Sequence, residues 1–445
     1  MISSVFIVLA LRIVGMLLWL LTTLLLARLL PVAEFALTSL AINIILLFGA
    51  LATLGAEVPV LRFGSSSWRD GQQDQFRGEL RQGKQLALFG GLIAVLFMGG
   101  LLRFEVLHLN GLAPLAFMAI GFGILISGQI VVQRTALRSA GRVGEAVFAE
   151  SFLRSFITLF LVGGAALLGQ LSFGVALTAY LSALLIGWML QLRSLSKLGL
   201  PRSTQAPVSS RVKFALSVWP GDAALVAFQR LPGVLIGFVT DLETAAVFLA
   251  AERVAQAGMF LIDAVRTVIG PTLAAAKEGE RQQAISKGSA IMLGAGLVGA
   301  LCTLAFGALF VHLLGNAYTN ALPLIAILLI GQLSFTALGP TGIILNMYGQ
   351  GKIRSLISVC STTALCFVLL FVTSDIYHVA LMYSAMIWIM NLLLALAIWR
   401  RLGRVTGLFS LNRTLLSATL KEVLETLTAK LRSKKTDTLS SKSLR

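Results

Sequence analysis

The chain has 445 residues, 57% of them hydrophobic and only 12% charged, with a mean hydropathy of +0.89. A soluble protein carries roughly twice that charged fraction, so a water-soluble enzyme or scaffold is excluded and a polytopic α-helical membrane protein remains. The formal net charge of +17 raises nucleic acid as a partner, and the placement of the charges has to decide.

Apolar runs near the ~20 residues that cross a bilayer fall at about 5–27, 35–58, 85–102, 112–133, 146–168, 173–192, 214–239, 244–270, 288–312, 321–346, 355–373 and 379–399. The first is too long for a signal-peptide core and leads into Ala27-Arg28-Leu29-Leu30-Pro31, so it counts as a span. Twelve spans place both termini on one face. The loops on that face, with the tail from Arg400, hold 29 of the 36 Lys and Arg residues, whereas the opposite turns hold only Arg28 and Arg103. This asymmetry predicts cytoplasmic termini. It accounts for the basic charge as an inner surface facing anionic lipid, and excludes nucleic acid as a partner. The outer turns are short, the longest about 103–111, which leaves no room for an external catalytic domain.

Arg12 lies on a face of the first span with Gly15, Trp19, Thr22 and Thr23. In the fifth span Glu150 and Arg154 are four apart, a spacing that predicts pairing on one helix. An internal repeat is visible. Gly141-Arg142-Val143 and Gly351-Lys352-Ile353 follow the fourth and tenth spans, and Glu34-Phe35-Ala36 and Glu243-Thr244-Ala245 open the second and eighth. Offsets of 210 and 209 predict two like-oriented six-helix halves, 1–200 and 201–400, joined through the Pro- and Ser/Thr-containing loop 193–213. Cargo then belongs at their interface.

The stretch 216–271 is the most informative. Asp222 and Arg230 lie in the seventh span, and Glu252, Arg253, Asp263 and Arg266 in the eighth, where Glu252, Gln256, Met259, Asp263 and Arg266 share one helix face. Each such charge costs about 2.5–3.5 kcal/mol at mid-bilayer, so the stripe must face protein, water or cargo. Pro232-Gly233 after Arg230 predicts a kink. Arg12, Arg230 and Arg253 have no local partner and are the candidate cavity arginines, because a guanidinium donates two hydrogen bonds at once to phosphate oxygens. Since the first and seventh spans are equivalent in the repeat, Arg12 and Arg230 are expected to approach one cavity from opposite halves. Asp263 reads as the counter-ion of Arg266. Asp222 and Glu252 fit two roles, carriers of a coupling H⁺ or Na⁺, or counter-ions to the arginines.

The remaining candidates are plainer. Cys302, Cys360 and Cys366 have no metal-ligand spacing, and no P-loop is present, so no metal or cofactor is expected. His108, His312 and His378 read as interfacial polar tips. In the basic tail 401–445, residues 411–431 carry an apolar stripe beside Arg413, Lys421 and Lys430 that suits a helix on the inner membrane surface.

Ala27-Arg28-Leu29-Leu30-Pro31 with Glu34-Phe35-Ala36, then Leu54-Gly55-Ala56-Glu57 and Arg62, resembles the opening of Wzx-type polysaccharide-biosynthesis flippases of the multidrug/oligosaccharidyl-lipid/polysaccharide (MOP) exporter superfamily. Gly315-Asn316-Ala317-Tyr318 and Gly349-Gln350-Gly351-Lys352 continue the likeness, while Ala36 stands where that family usually has Gly. The resemblance implies an all-α, MATE-like fold of two six-helix bundles around a central cavity. It also implies flipping of an undecaprenyl-pyrophosphate-linked oligosaccharide rather than catalysis, alongside a polysaccharide polymerase or other assembly proteins. A multidrug/cation antiporter of the same superfamily is the alternative, and a glycan ligase or glycosyltransferase is disfavoured by the short turns.

Overall fold

The computed structural model describes residues 2–103, 114–199, 209–275, 278–371 and 375–411; the side chains of some helical positions, Asp263 among them, lie outside the described set. Among the described residues every regular element is helical. The first half contains α1 (Ile2–Leu29), α2 (Val32–Leu51), α3 (Glu57–Arg69), α4 (Gln73–Arg103), α5 (Pro114–Ser139), α6 (Val143–Val147), α7 (Arg154–Leu167) and α8 (Phe173–Ser196). The second contains α9 (Ser209–Val239), α10 (Leu242–Ala275), α11 (Arg281–Leu314), α12 (Ala321–Ala337), α13 (Thr341–Met347), α14 (Gly351–Phe371) and α15 (Ile376–Leu402). A π-helical turn, Phe148–Leu153, joins α6 to α7.

Ten stretches are long and apolar enough to cross a bilayer; α9 and α10, the two further helices of spanning length, carry the polar residues of 216–271 and complete the expected twelve. Large apolar side chains such as Leu96, Phe160, Leu301 and Phe367 face outward, an arrangement that only lipid tolerates over so wide a surface. Within the first half α2, α4 and α8 pack around α5, and α1 packs on α7; within the second, α10, α11 and α12 pack together, α12 on α15, and α14 on α9 and α15. The bundles meet where α1, α2 and α3 touch α9 and α10. The linker residues 200–208 and the predicted surface helix 411–431, apart from Leu411, lie outside the described residues. Before that, the chain beyond α15 is tied to the second bundle: the Thr406 hydroxyl donates to Leu338 O and Gly407 N to Ser289 Oγ, both at 3.0 Å.

Two spans differ from the sequence reading. The second stops at Leu51 instead of running to 58, because Leu54 and Gly55 take positive φ of 48° and 74°. That turn is pressed between backbones: a Cβ on Gly55 would lie 2.5 Å from Ala215 O, and Trp219 Nε1 donates to Leu51 O at 3.1 Å. The Leu51 carbonyl at the helix end, which also accepts from Leu54 N at 3.3 Å, thereby gains a second donor from the other bundle. The tenth span breaks at Gly339-Pro340, where proline removes a donor from the helix.

Both helix ends named by the repeat close in a left-handed glycine turn. Gly141 and Gly349 take φ of +77° and +76°. In each, the glycine N–H bonds three residues back and the next N–H five back, Arg142 to Leu137 and Gln350 to Leu345, as also at Gly71 and Gly169. Glu34 and Glu243 both occupy the first turn of their helices, as the repeat requires.

Candidate functional site

The bundle interface encloses a line of small chambers. The first, about 140 Å³, is lined by Gly15, Met16 and Trp19 of α1, Ser151 and Arg154 of the fifth span, Tyr180 of α8, Arg230 of α9, and Arg253 and Gln256 of α10. Arg230 and Gln256 also border a second, about 210 Å³, that runs into the second bundle past Gln332, Phe335 and Tyr383. Gln229 and Phe335 then border a third, about 150 Å³, reaching Arg266, Asn346, Arg354 and Asn391. The interior is thus divided by a few polar side chains.

Arg230 donates from Nη1 to Gln256 Oε1 at 3.3 Å, and the Arg253 guanidinium lies 5.0 Å over the Trp19 ring. A cation over an indole face is held by the ring quadrupole without a counter-charge. Arg154 is the third cation, and its Nε is buried without an acceptor. The nearest acid, Glu252, is only 3% exposed. It is wedged at the interface against Gly233 and Asn43 of α2, where a Cβ on Gly233 would lie 2.3 Å from Glu252 Oε2. Both carboxylate oxygens, and both polar atoms of the Asn43 amide, lack a well-formed hydrogen bond. Arg230 and Arg253 lie in the field of Glu252 and Arg154 in that of Glu150, and all three border a chamber whose described lining holds cations and no carboxylate.

The structure separates residues that the sequence grouped. Arg12 does not border the chambers; it sits half-buried in the field of Glu150. The repeat explains this. An offset of 209 maps Arg12 onto Gly221, nine positions short of Arg230, which is about 14 Å of helix. Equivalent helices thus present arginines at different depths.

Glu150 also departs from the expected pairing. Its carboxylate binds Arg134 and, at 3.4 Å, Arg138 of α5 rather than Arg154. The turn Phe148–Leu153 is π-helical, and Arg154 at its end borders the chamber while staying in the field of Glu150. The turn is pressed onto α1, where Gly15 alone fits, since a Cβ there would meet Ser151 O at 2.3 Å. Asp222 is counter-ion to Arg354 at 3.1 Å, a residue the sequence reading counted as a loop cation, and Arg354 also reaches Asn346 at 3.4 Å. The Arg266 guanidinium lies 4.7 Å over Phe335. The side chain of Asp263, its expected partner, and His108 lie outside the described residues. Sequence reasoning missed Arg154 and Tyr180 as chamber residues; a helix-period pattern carries no sign of a π turn.

Contacts join the bundles at both ends of the interface. Where α1 begins and α15 ends, Arg211 of α9 pairs with Glu79 of α4 across the bundles. At the opposite end Arg28 donates to Leu313 O at 2.7 Å, and the Phe35 and Tyr318 rings meet edge-on at 6.0 Å. Each chamber is smaller than the roughly 300–1,000 Å³ of a site for a drug-sized ligand, so a large cargo requires the bundles to part.

The polysaccharide biosynthesis protein family matches residues 1–277. The chain belongs to that family. No curated protein sequence matches it. Among solved structures, an inward-facing multidrug-resistance MATE transporter of the MOP superfamily is 15% identical with a TM-score of 0.61, covering 94% of this chain and 99% of that one. A MOP superfamily transporter from Pyrococcus furiosus, whose description notes reversed polarity of its binding pocket, is 14% identical with a TM-score of 0.65 over 90% and 95% of the two chains. A Vibrio cholerae MATE transporter gives 16%, 0.62, 90% and 97%. The fold is therefore that of MOP transporters, twelve helices in two pseudo-symmetric bundles, and this family member is a multi-pass membrane protein.

Proposed function

We propose that the protein is a flippase that moves a polyprenyl-pyrophosphate-linked oligosaccharide across the bacterial inner membrane by alternating access, with both termini cytoplasmic. The observation that carries this reading is the convergence of Arg154, Arg230 and Arg253 on one chamber whose described lining holds no carboxylate. Three planar donors suit a diphosphate, which offers several anionic oxygens in a small volume. The polar side chains of the adjoining chambers, Gln229, Gln332 and Asn391 among them, suit sugar hydroxyls, and the polyprenyl tail stays in lipid. Membership of a polysaccharide biosynthesis family agrees with such a cargo. A cation antiporter needs the opposite local charge.

The test is equilibrium binding of polyprenyl diphosphate, monophosphate and free polyprenol to the protein in nanodiscs. Affinity should rise with phosphate count. Arg230→Gln and Arg253→Gln should each weaken diphosphate binding about 10- to 100-fold, the worth of a hydrogen bond to a charged group. Equal binding of the uncharged polyprenol, or preferential binding of organic cations, would sink the proposal.

A further inference from the structure

The largest of the described cavities is not at the bundle interface. It is a groove of about 950 Å³ on the flank of the first bundle, between α4, α5 and α8, and it shares no lining residue with the central chambers. Arg77, Arg81 and Lys84 line it near the start of α4, and no acidic residue is part of its wall. Spacings of four, three and four put Arg77, Arg81, Lys84 and Leu88 on one helix face. One turn further the same face reaches Leu92; Leu88 and Leu92 are each 49% exposed. A basic rim therefore passes directly into a lipid-facing apolar strip on a single helix. Trp188 of α8 forms the opposite wall. Gln129 of α5 donates to Lys84 O at 2.8 Å, which fixes α5 against α4 at the level of the cations.

We infer that this groove holds an anionic phospholipid, its phosphate against Arg81 and Lys84 and its acyl chains along Leu88 and Leu92. The sequence of charge and grease along α4 matches a lipid from headgroup to tail, and the depth matches the membrane interface, where cations meet anionic headgroups. The site does not depend on the flippase reading: it lies apart from the central chambers and takes resident lipid, not cargo.

The experiment uses the full-length protein in nanodiscs of phosphatidylglycerol or phosphatidylcholine with matched chains. Acyl chains brominated near the headgroup quench nearby tryptophan, and Trp188→Phe identifies the share that belongs to the groove. Phosphatidylglycerol should quench Trp188 more than phosphatidylcholine does. Each cation near the surface is worth roughly a factor of five in anionic-lipid affinity, so Arg81→Gln/Lys84→Gln should weaken the preference about 25-fold. Arg400→Gln/Arg401→Gln, at the far end of the chain's basic face, should leave it intact. Inorganic phosphate alone should not compete. The inference fails if the double variant keeps the wild-type preference, or if phosphate competes as well as lipid. It also fails if polyprenyl diphosphate displaces phosphatidylglycerol at equal concentration, because the occupant is then the cargo. Native mass spectrometry of co-purified lipid reads the same preference for a variant too unstable to reconstitute.

Discussion

The protein contains two clusters in which one glutamate stands among arginines, and they are built differently. Around Glu150 the carboxylate is held directly by Arg134 and Arg138, with Arg12 and Arg154 contributing only field. Around Glu252 the two arginines bind elsewhere, Arg230 to Gln256 and Arg253 over Trp19. The Glu252 carboxylate holds neither directly and has only the amides of Asn43 and Gln256 beside it. Arginines outnumber the carboxylate in both, yet the first cluster is a finished ion-pair network and the second is an unfinished one. A network that is complete locks helices together; an incomplete one at a bundle interface can accept an outside anion. Charge count alone does not distinguish a strut from a binding site, and direct contact does.

The largest effect should come from breaking the finished network. Glu150→Gln removes the carboxylate that binds Arg134 and Arg138 of α5 and stands in the field of Arg154 of α7. Deleting one partner of a buried pair costs about 3–5 kcal/mol, because the remaining charges stay buried and uncompensated. A clear fall in the thermal midpoint of the detergent-solubilised protein is expected, whether or not cargo is present. An unchanged midpoint would mean that the arginines are already solvated and that the two clusters do not differ in kind.

Glu252→Gln sharpens the contrast. The amide has nearly the same shape, and the carboxylate it replaces holds no arginine directly, so the midpoint should move far less than for Glu150→Gln. The electrostatics of the chamber should change instead. Removing a negative charge beside Arg230 and Arg253 should tighten diphosphate binding about tenfold, the effect of a unit charge at this range in an effective dielectric of about 20. Titration with polyprenyl diphosphate reads this directly. Loss of folded protein on the scale of Glu150→Gln would assign Glu252 to structure and remove the contrast.

The sequence revealed the spans, the repeat and the intramembrane charges because each is a one-dimensional signal: run length, offset and position. It did not reveal which charges meet. Asp222 finds Arg354, 132 positions away, and no local spacing rule reaches that far. The i,i+4 rule pairs Arg154 with Glu150, yet Arg134 and Arg138 of the neighbouring α5 hold that carboxylate directly. Arg12 and Arg230 were paired by helix equivalence, and the same offset, applied residue by residue, already places Arg12 opposite Gly221. That last error was avoidable from the sequence. The first two were not, because they depend on the rotation of helices within a bundle.

The smallest effect belongs to a carboxylate outside both clusters. Asp241 precedes α10, the helix that carries Glu252 and Arg253, and caps it: Oδ1 accepts from Thr244 N and Oδ2 from the Thr244 hydroxyl, each at 2.8 Å. These bonds, the backbone N–H first, hold the Asp241 carboxyl below the usual aspartate range. A lowered value means that the cap's contribution is complete above the ordinary aspartate pKa and is lost as pH falls through the lowered one. The side chain is exposed, so solvent screening reduces the loss on Asp241→Ala to about 0.5 kcal/mol, the low end for a cap. The midpoint should drop slightly at neutral pH, Asp241→Asn should restore most of it, and the difference between wild type and Asp241→Ala should vanish in acid. Diphosphate affinity should stay at the wild-type value throughout. If it falls with the cap, the start of α10 positions the cavity arginines, and the loosely held cluster extends further along that helix than its side-chain contacts indicate.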